Sequence, residues 1–312
     1  MLDADMMLAY LDFVVERHKI WERRQAGEPG PWTDDPILAT RKFTNDFRVL
    51  DHGSQFLLTE LLNTAETPAD ALARAFLYRM TNRTQVWEQT RKECGDYPHM
   101  EEMDQVLARY WRYLRDEKGV QVFSGAYIIM PEPGVKGVDK VRSVVKLAER
   151  YFGNGPESIT GWFLDSQHMY ERFDLLRSCP GIGPFIAMQV LTDFGYSPFG
   201  TDQDENEFVI AGPGCINGAK EIDPGRKPAD MIRFCRDAVL QLEDCPMLPV
   251  PIAGDPDASP HLRPPSLMDI QNTLCEFSKY ARYMRKSPSV KAYRPAHPGP
   301  ATAPVLPQHW AL

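Results

Sequence analysis

The chain has 312 residues, 43% hydrophobic and 11% aromatic, with a formal charge of −8. That length can bury a substantial core, as one large domain or two modest ones. The acidic balance excludes a whole-surface grip on nucleic acid, which needs clustered Lys and Arg. It leaves room for a local basic groove built from Arg17-His18-Lys19, Arg23-Arg24, Arg41-Lys42 or the run Lys279, Arg282, Arg285 and Lys286.

No stretch approaches the roughly 18 apolar residues of a membrane helix, and Met1-Leu2-Asp3-Ala4-Asp5 carries acids where a secretory signal has a basic region. The expectation is a cytoplasmic protein with no membrane partner. Cys94, Cys179, Cys215, Cys235, Cys245 and Cys275 are widely spaced, with no C-x-x-C and no neighbouring histidine cluster. They read as reduced core thiols, and neither a metal nor a cofactor is expected.

Apolar residues recur at helical spacing almost throughout, so the fold class is mainly α. Leu8, Leu11, Val14 and Val15 open an amphipathic helix that stops near Gly27-Glu28-Pro29-Gly30-Pro31. Met100, Met103, Val106, Leu107, Tyr110, Trp111 and Leu114 mark a second, ending near Gly119, and Val138, Val141, Val145 and Phe152 a third. Between these two, residues 121–130 are the one candidate for a small β element. A tight glycine hairpin at Cys179-Pro180-Gly181-Ile182-Gly183-Pro184 feeds a buried helix from Ile186 to Phe194. Ala211–Gly218 reads as a glycine-rich loop and Arg226–Leu242 as a helix. Residues 246–265 form a proline-rich surface excursion. Ser266 then caps a helix with Leu267, Ile270, Leu274, Phe277 and Ala281 on one face. Residues 1–286 are expected to form one helical domain, or two lobes flanking a cleft for DNA, and 287–312 an extended proline-rich tail.

Five groups of residues carry candidate chemistry. Arg41, Asn45, Arg48, Asp51 (or His52) and Gln55 recur every three or four residues and would share one side of a helix. Guanidinium, amide and carboxylate together suit a base edge, a phosphate or a substrate carboxylate, against the alternative of a charged face laced by salt bridges. Arg79 and Asn82 repeat that offset beside Tyr78 and Trp87, a set that either stacks an extruded base or divides between core and surface. Gly181 and Gly183 expose backbone N–H groups ahead of a helix, where a DNA phosphate is the natural guest and plain helix packing the alternative, and Gly212 and Gly214 permit similar close approach. Asp202, Asp204 and Glu205 follow, as a source of a general base or as a hydrated acidic loop. Glu276, Lys279 and Tyr280 form an i, i+3, i+4 constellation, with a salt bridge as the plain reading. Cys215 has no evident base to activate it.

The hairpin, its following helix and the acidic exit resemble the helix-hairpin-helix DNA glycosylase superfamily. Lys42-Phe43-Thr44-Asn45 through Gln55, Tyr78-Arg79-x-x-Asn82, Pro180–Phe185, Glu207–Gly214 and Leu274-Cys275-Glu276-Phe277-x-Lys279-Tyr280 resemble more closely the bacteriophage thymidine-hypermodification enzymes. These are the α-glutamyl/putrescinyl thymine pyrophosphorylases, or amino acid:DNA transferases. The resemblance implies a glycosylase-like helical fold acting on double-stranded DNA in which 5-hydroxymethyluracil has been activated, as a phosphate or pyrophosphate ester, by a partner kinase. A free amino acid or polyamine would displace that group. Arg41, Arg48 and Arg79 would handle anions, Asn45, Asn82 and Gln55 the base or backbone, and one of Asp202, Asp204 or Glu205, with Asp51 as a further acid–base candidate, the amine proton. Phe185 stands where lyase-type glycosylases carry a Schiff-base lysine, which excludes imine chemistry there. A monofunctional glycosylase and a noncatalytic DNA-binding module are the alternatives.

Overall fold

Prolines and short polar side chains set most helix starts, because the first N–H groups of a helix need acceptors and proline has none to satisfy. In the computed structural model, which describes residues 1–124, 139–200, 205–255, 257–285 and 303–311, Asp3 accepts from the Met6 amide at 3.0 Å and opens α1 (Ala4–Gln25). Asp35 takes the Ile37 and Leu38 amides and opens α2 (Pro36–Thr40). A short α3 (His52–Phe56) runs into a wider-wound turn, Leu57–Leu62, before Thr67 caps α4 (Pro68–Thr81). Then come α5 (Thr84–Cys94), ended by Gly95 at φ +81°, and α6 (Arg109–Asp116), preceded by another wide turn at Met103–Ala108. The remaining helices are α7 (Lys140–Phe152), α8 (Thr160–Asp165), α9 (Met169–Ser178), α10 (Pro184–Gly195), α11 (Pro213–Ile222), α12 (Pro228–Val239) and α13 (Leu267–Met284). Ser266 and Asp269 cap α13 reciprocally, as the sequence leads one to expect.

The protein is mainly helical, and the strands lie elsewhere than expected. β1 (Leu248–Val250) pairs antiparallel with β2 (His261–Arg263), inside the proline-rich excursion, where alternate residues Leu248 and Val250 are buried. Gln121–Ser124 form no strand, and residues 125–130 lie outside the described ones. Leu8 also departs from expectation: it is 61% exposed, and the buried stripe of α1 is Met7, Tyr10, Phe13, Val14, Arg17 and His18.

The chain divides into two compact units. Unit 1 comprises Met1–Asp51, Asp204–Val305 and Ala311–Leu312, and unit 2 comprises His52–Gln203 and Leu306–Trp310. Unit 1 packs α1, α11, α12 and α13 around Tyr10, Phe13, Phe43, Ile222, Ile232 and Phe277. Here the sequence reading of 211–218 as a loop is corrected: Gly212 precedes α11, and the segment continues as helix. A Cβ on Gly218 would lie 2.0 Å from the Leu274 carbonyl oxygen, and one on Gly214 2.2 Å from Cys275 Sγ. These glycines let α11 and α13 approach backbone to backbone.

Unit 2 wraps α4, which is buried on nearly all sides from Asp70 to Thr81. Phe76 meets Phe152 edge-on at 5.6 Å, and Trp87 meets Trp111 at 5.2 Å, each indole donating to a buried threonine hydroxyl at 3.0 Å. The tail departs from an extended reading at its end: Trp310, in a 3₁₀ turn, is 6% exposed and packs edge-on against Tyr196 at 5.8 Å.

Candidate functional site

The stripe from Arg41 to Gln55 is not one helix face. Its residues 42–47 are irregular, and a 3₁₀ turn, Arg48–Leu50, precedes α3. Local side-chain bonds outcompete the helix ladder here. The Asn45 amide donates to Asp51 Oδ1 at 2.8 Å, and Asn45 Nδ2 donates to the Leu50 carbonyl at 2.8 Å. Neighbouring amides turn to α13: Thr44 N–H donates to the Glu276 carboxylate at 3.1 Å, and Arg48 N–H to Asp269 Oδ1 at 2.8 Å. Asn272 clamps the segment from the same helix through Thr44 Oγ1 and the Asn45 carbonyl. Asn45, Arg48, Asp51 and Glu276 are thus brought together, by a different route from the one their spacing suggests.

The charges in this network are largely withdrawn from water. Asp46 is 3% exposed and its Oδ2 has no hydrogen-bond partner. Burial, with Asp269 and Asp51 nearby, pushes its carboxyl up to about 8 against the opposing pull of Arg17. Asp51 is raised to about 7, first by burial and then by Glu276, while the Asn45 amide, Arg17 and Arg48 oppose the shift. Asp269 is raised by burial although its carboxylate accepts from Arg48 N–H, Ser266 N–H and Ser266 Oγ. Arg17 is 7% exposed, its Nε and one terminal nitrogen lack partners, and burial lowers its pKa. Two carboxyls that titrate near neutrality, beside a buried guanidinium, can both take and return a proton at physiological pH.

The other expected residues of unit 1 surround this core. Lys279 pairs with Glu276, and Tyr280 donates its hydroxyl to Asp35 Oδ2 at 2.5 Å. The Arg41 guanidinium lies 4.4 Å from the Tyr283 ring centroid. Glu205 is raised by burial and held by Arg263 at 2.9 Å, whereas Asp202 and Asp204 lie outside the described residues. The Cys215 thiol is fully buried, and burial pushes it far up, which leaves it inert as a nucleophile. Of the cysteines expected in the core, Cys94 is exposed.

An open cleft of about 620 Å³ also belongs to unit 1, with Phe13 and Tyr280 among its walls and Asp12, Glu16, Asp35, Glu243 and Asp244 on its lining.

Unit 2 holds the remaining candidates. Arg79, on α4, donates from both Nε and a terminal nitrogen to Asp193, a carboxylate with no exposure at all. Asn82 ends α4 in the left-handed conformation, φ 47°, with its amide on the Tyr78 carbonyl; asparagine tolerates that cap better than most side chains. Gln55 sits on α3. Gly181 takes φ +93° in the turn between α9 and α10, and Gly183 precedes α10 with no side chain capping its first amides. Arg177 and Tyr151 tie down this turn through the Ile182 and Pro180 carbonyls.

Sequence reasoning passed over Asp46 and Asn272, and read Arg17 only as part of a basic cluster and Asp269 only as a helix cap. One signal was present: Arg17 falls in register with Tyr10, Phe13 and Val14, so the apolar stripe of α1 carries a cation in its line. Among the described residues, no group of three or more His, Cys, Asp or Glu is arranged to hold a metal ion, and no helix is long and apolar enough to cross a membrane.

Comparison with known proteins places this architecture. The 5-hmdU DNA kinase of Bacillus phage SP10 is 28% identical over 228 residues, a stretch that covers 68% of this chain and 35% of that kinase. The chain therefore spans about a third of its relative. No solved structure matches it. The family model for the helical domain of 5-hmdU DNA kinases matches residues 4–290, nearly the whole chain, and the protein belongs to that helical-domain family.

Proposed function

We propose that this protein modifies 5-hydroxymethyluracil in DNA, and that its step is transfer of an amine, from an amino acid or a polyamine, onto the base methylene after a kinase has esterified it. The observation that carries the reading is the buried network of Asp46, Asp51 and Arg17, where two carboxyls are raised to about 8 and 7. In the reaction the amine nitrogen forms the new bond to the methylene carbon. The carbon–oxygen bond breaks, its electron pair leaves with phosphate or pyrophosphate, and the ammonium proton passes to a carboxylate. A base that titrates near neutrality suits that last transfer, and a buried cation suits the leaving oxygens. Membership in the kinase helical-domain family supports the substrate.

The family name favours a second reading, a helical module that presents DNA to a kinase without chemistry of its own. One experiment separates the two. DNA carrying 5-phosphomethyluracil is incubated with the protein, the twenty amino acids and putrescine, and the released nucleosides are weighed by mass spectrometry. A nucleoside heavier than thymidine by an amine adduct establishes transfer and names the donor. Unchanged nucleosides, with DNA bound and kinase activity stimulated in trans, would establish the presenting module instead.

A further inference from the structure

Asp269, Asn272 and Glu276 fall three and then four residues apart on α13, so they share one face of that helix. All three engage the same short stretch of chain ahead of α3. Glu276 accepts the Thr44 amide at 3.1 Å and Asp269 the Arg48 amide at 2.8 Å. Between them, Asn272 Nδ2 donates to Thr44 Oγ1 at 3.2 Å and to the Asn45 carbonyl at 3.0 Å. The helix thus offers acceptor, donor and acceptor to a backbone that offers N–H, C=O and N–H. An ionised carboxylate at the middle position could not serve the carbonyl, because it only accepts.

What Asn272 holds decides where two carboxyls stand. The Asn45 carbonyl belongs to the peptide that leads directly into Asp46. Asn45 also donates its own N–H to Asp51 Oδ1 and its Nδ2 to the Leu50 carbonyl, each at 2.8 Å, which closes the turn from 45 to 51. Residues 42–47 belong to no helix or strand, so side-chain bonds do the holding that a backbone ladder does elsewhere. Asp51 is faced by Arg17 from α1, by Glu276 from α13, and by Asp46 and Arg48 from its own segment. Beside these charges the Asn45 amide makes a direct hydrogen bond, and it favours the ionised carboxylate.

We propose that Asn272 is a positioning residue for the acid–base group, holding the 44–51 turn in the form that keeps the Asn45 amide on Asp51. The proposal rests on the reading of this network as the proton acceptor of an amine transfer. Asn272 touches neither carboxyl itself and acts through Thr44 and Asn45. Its contribution is to keep Asp51 able to release its proton near neutrality, in surroundings where burial and Glu276 favour the protonated form.

The test is an NMR titration of the full chain labelled with ¹³C-aspartate, in which the Asp51 carboxyl carbon is assigned by its loss in D51N. The wild-type midpoint is expected at about 7. In N272A the Asn45 amide is no longer held to the carboxylate, and the ionised form loses a charge-assisted bond. The midpoint should rise by about one pH unit, a roughly tenfold tighter hold on the proton. Alanine favours helix and Asn272 is only half-buried, so α13 persists. T44V removes one of the two acceptors and should shift the midpoint the same way by less; if N272A does not fold, T44V decides alone. The control is T273V, on the same helix but bonded to the Tyr10 hydroxyl at 2.7 Å, which costs stability without touching the turn and should leave the midpoint in place. A midpoint that stays with the control, or that falls, would overturn the proposal. Because the readout uses neither DNA nor amine, the two readings fail separately. A raised midpoint in a protein that transfers no amine refutes the reaction and leaves the hold of Asn272 on Asp51 standing; transfer whose pH profile is unmoved in N272A refutes the positioning role.

Discussion

Asp46→Asn isolates the cost of burying a carboxyl in unit 1. Asp46 is raised to about 8, first by burial, while in the unfolded chain it ionises in the ordinary carboxylate range. The folded state therefore holds a proton that the unfolded state has released. Its stabilising contribution is complete in acid, below the unfolded pKa, and is lost as pH rises toward 8. Over the three units from about pH 5 to 8, at about 1.36 kcal/mol each, the ceiling on that loss is roughly 4 kcal/mol. Asparagine keeps the shape and has no proton to lose, so the variant gains on the wild type as pH rises. Below about pH 8 the folded carboxyl is already neutral, so asparagine takes little counter-charge from Arg17 and the expected swing runs up to that ceiling of about 4 kcal/mol. Urea unfolding followed by circular dichroism at about pH 5, 6.5 and 8 reads the swing directly. A difference between D46N and wild type that is flat across this range, or that turns against the variant at pH 8, would refute the buried-proton argument.

Three further outcomes are expected. If Asp51, raised to about 7, is the base, the initial transfer rate measured by mass spectrometry should rise with pH to a half-maximum near 7, and D51N should abolish that limb; a D51N profile identical to wild type would remove Asp51 from the chemistry. Gly218→Ala should destabilise unit 1 by about 3 kcal/mol or more in thermal melts, since its Cβ would meet the Leu274 backbone, while Gly155→Ala, with nothing within 4 Å, should be nearly neutral. In unit 2, R79M should cost about 3 to 5 kcal/mol by denaturant titration because the buried Asp193 carboxyl loses the guanidinium matched to it, and adding D193L should recover much of that loss; equal costs for single and double variants would show that the pair's coupling is weak.

The helices read from sequence, α1, α6, α7, α10, α12 and α13, were legible because their signals are local. Ser266 with Asp269, the apolar rows of α7 and α13, and the prolines that open α10 and α12 act within a turn or two of chain. Gly212–Gly218 misled for the converse reason. Closely spaced glycines mark either a loop or a helix pressed against another backbone, and only the position of Leu274, some fifty residues on, decides between them. The 41–55 stripe failed in the same way. Its spacing suits a helix, but Asp51, Glu276 and Asp269 take its amides and Asn45 takes its Leu50 carbonyl for side-chain bonds, and two of the three acceptors come from more than 200 residues away.

The same physics separates the candidates that carry a chemical argument from those that carry a structural one. Asn82 and Arg79 look alike in sequence to Asn45 and Arg48, yet Asn82 satisfies a helix end and Arg79 matches a buried carboxylate through two hydrogen bonds. Asp46 and Arg17 instead retain buried polar atoms with nothing opposite them. Leaving a buried donor or acceptor unpaired costs about 1 to 3 kcal/mol, so a core that keeps two such groups side by side gives up stability that apolar replacements would return. That deficit is the strongest physical reason to look for catalysis in unit 1 rather than at the glycine hairpin of unit 2.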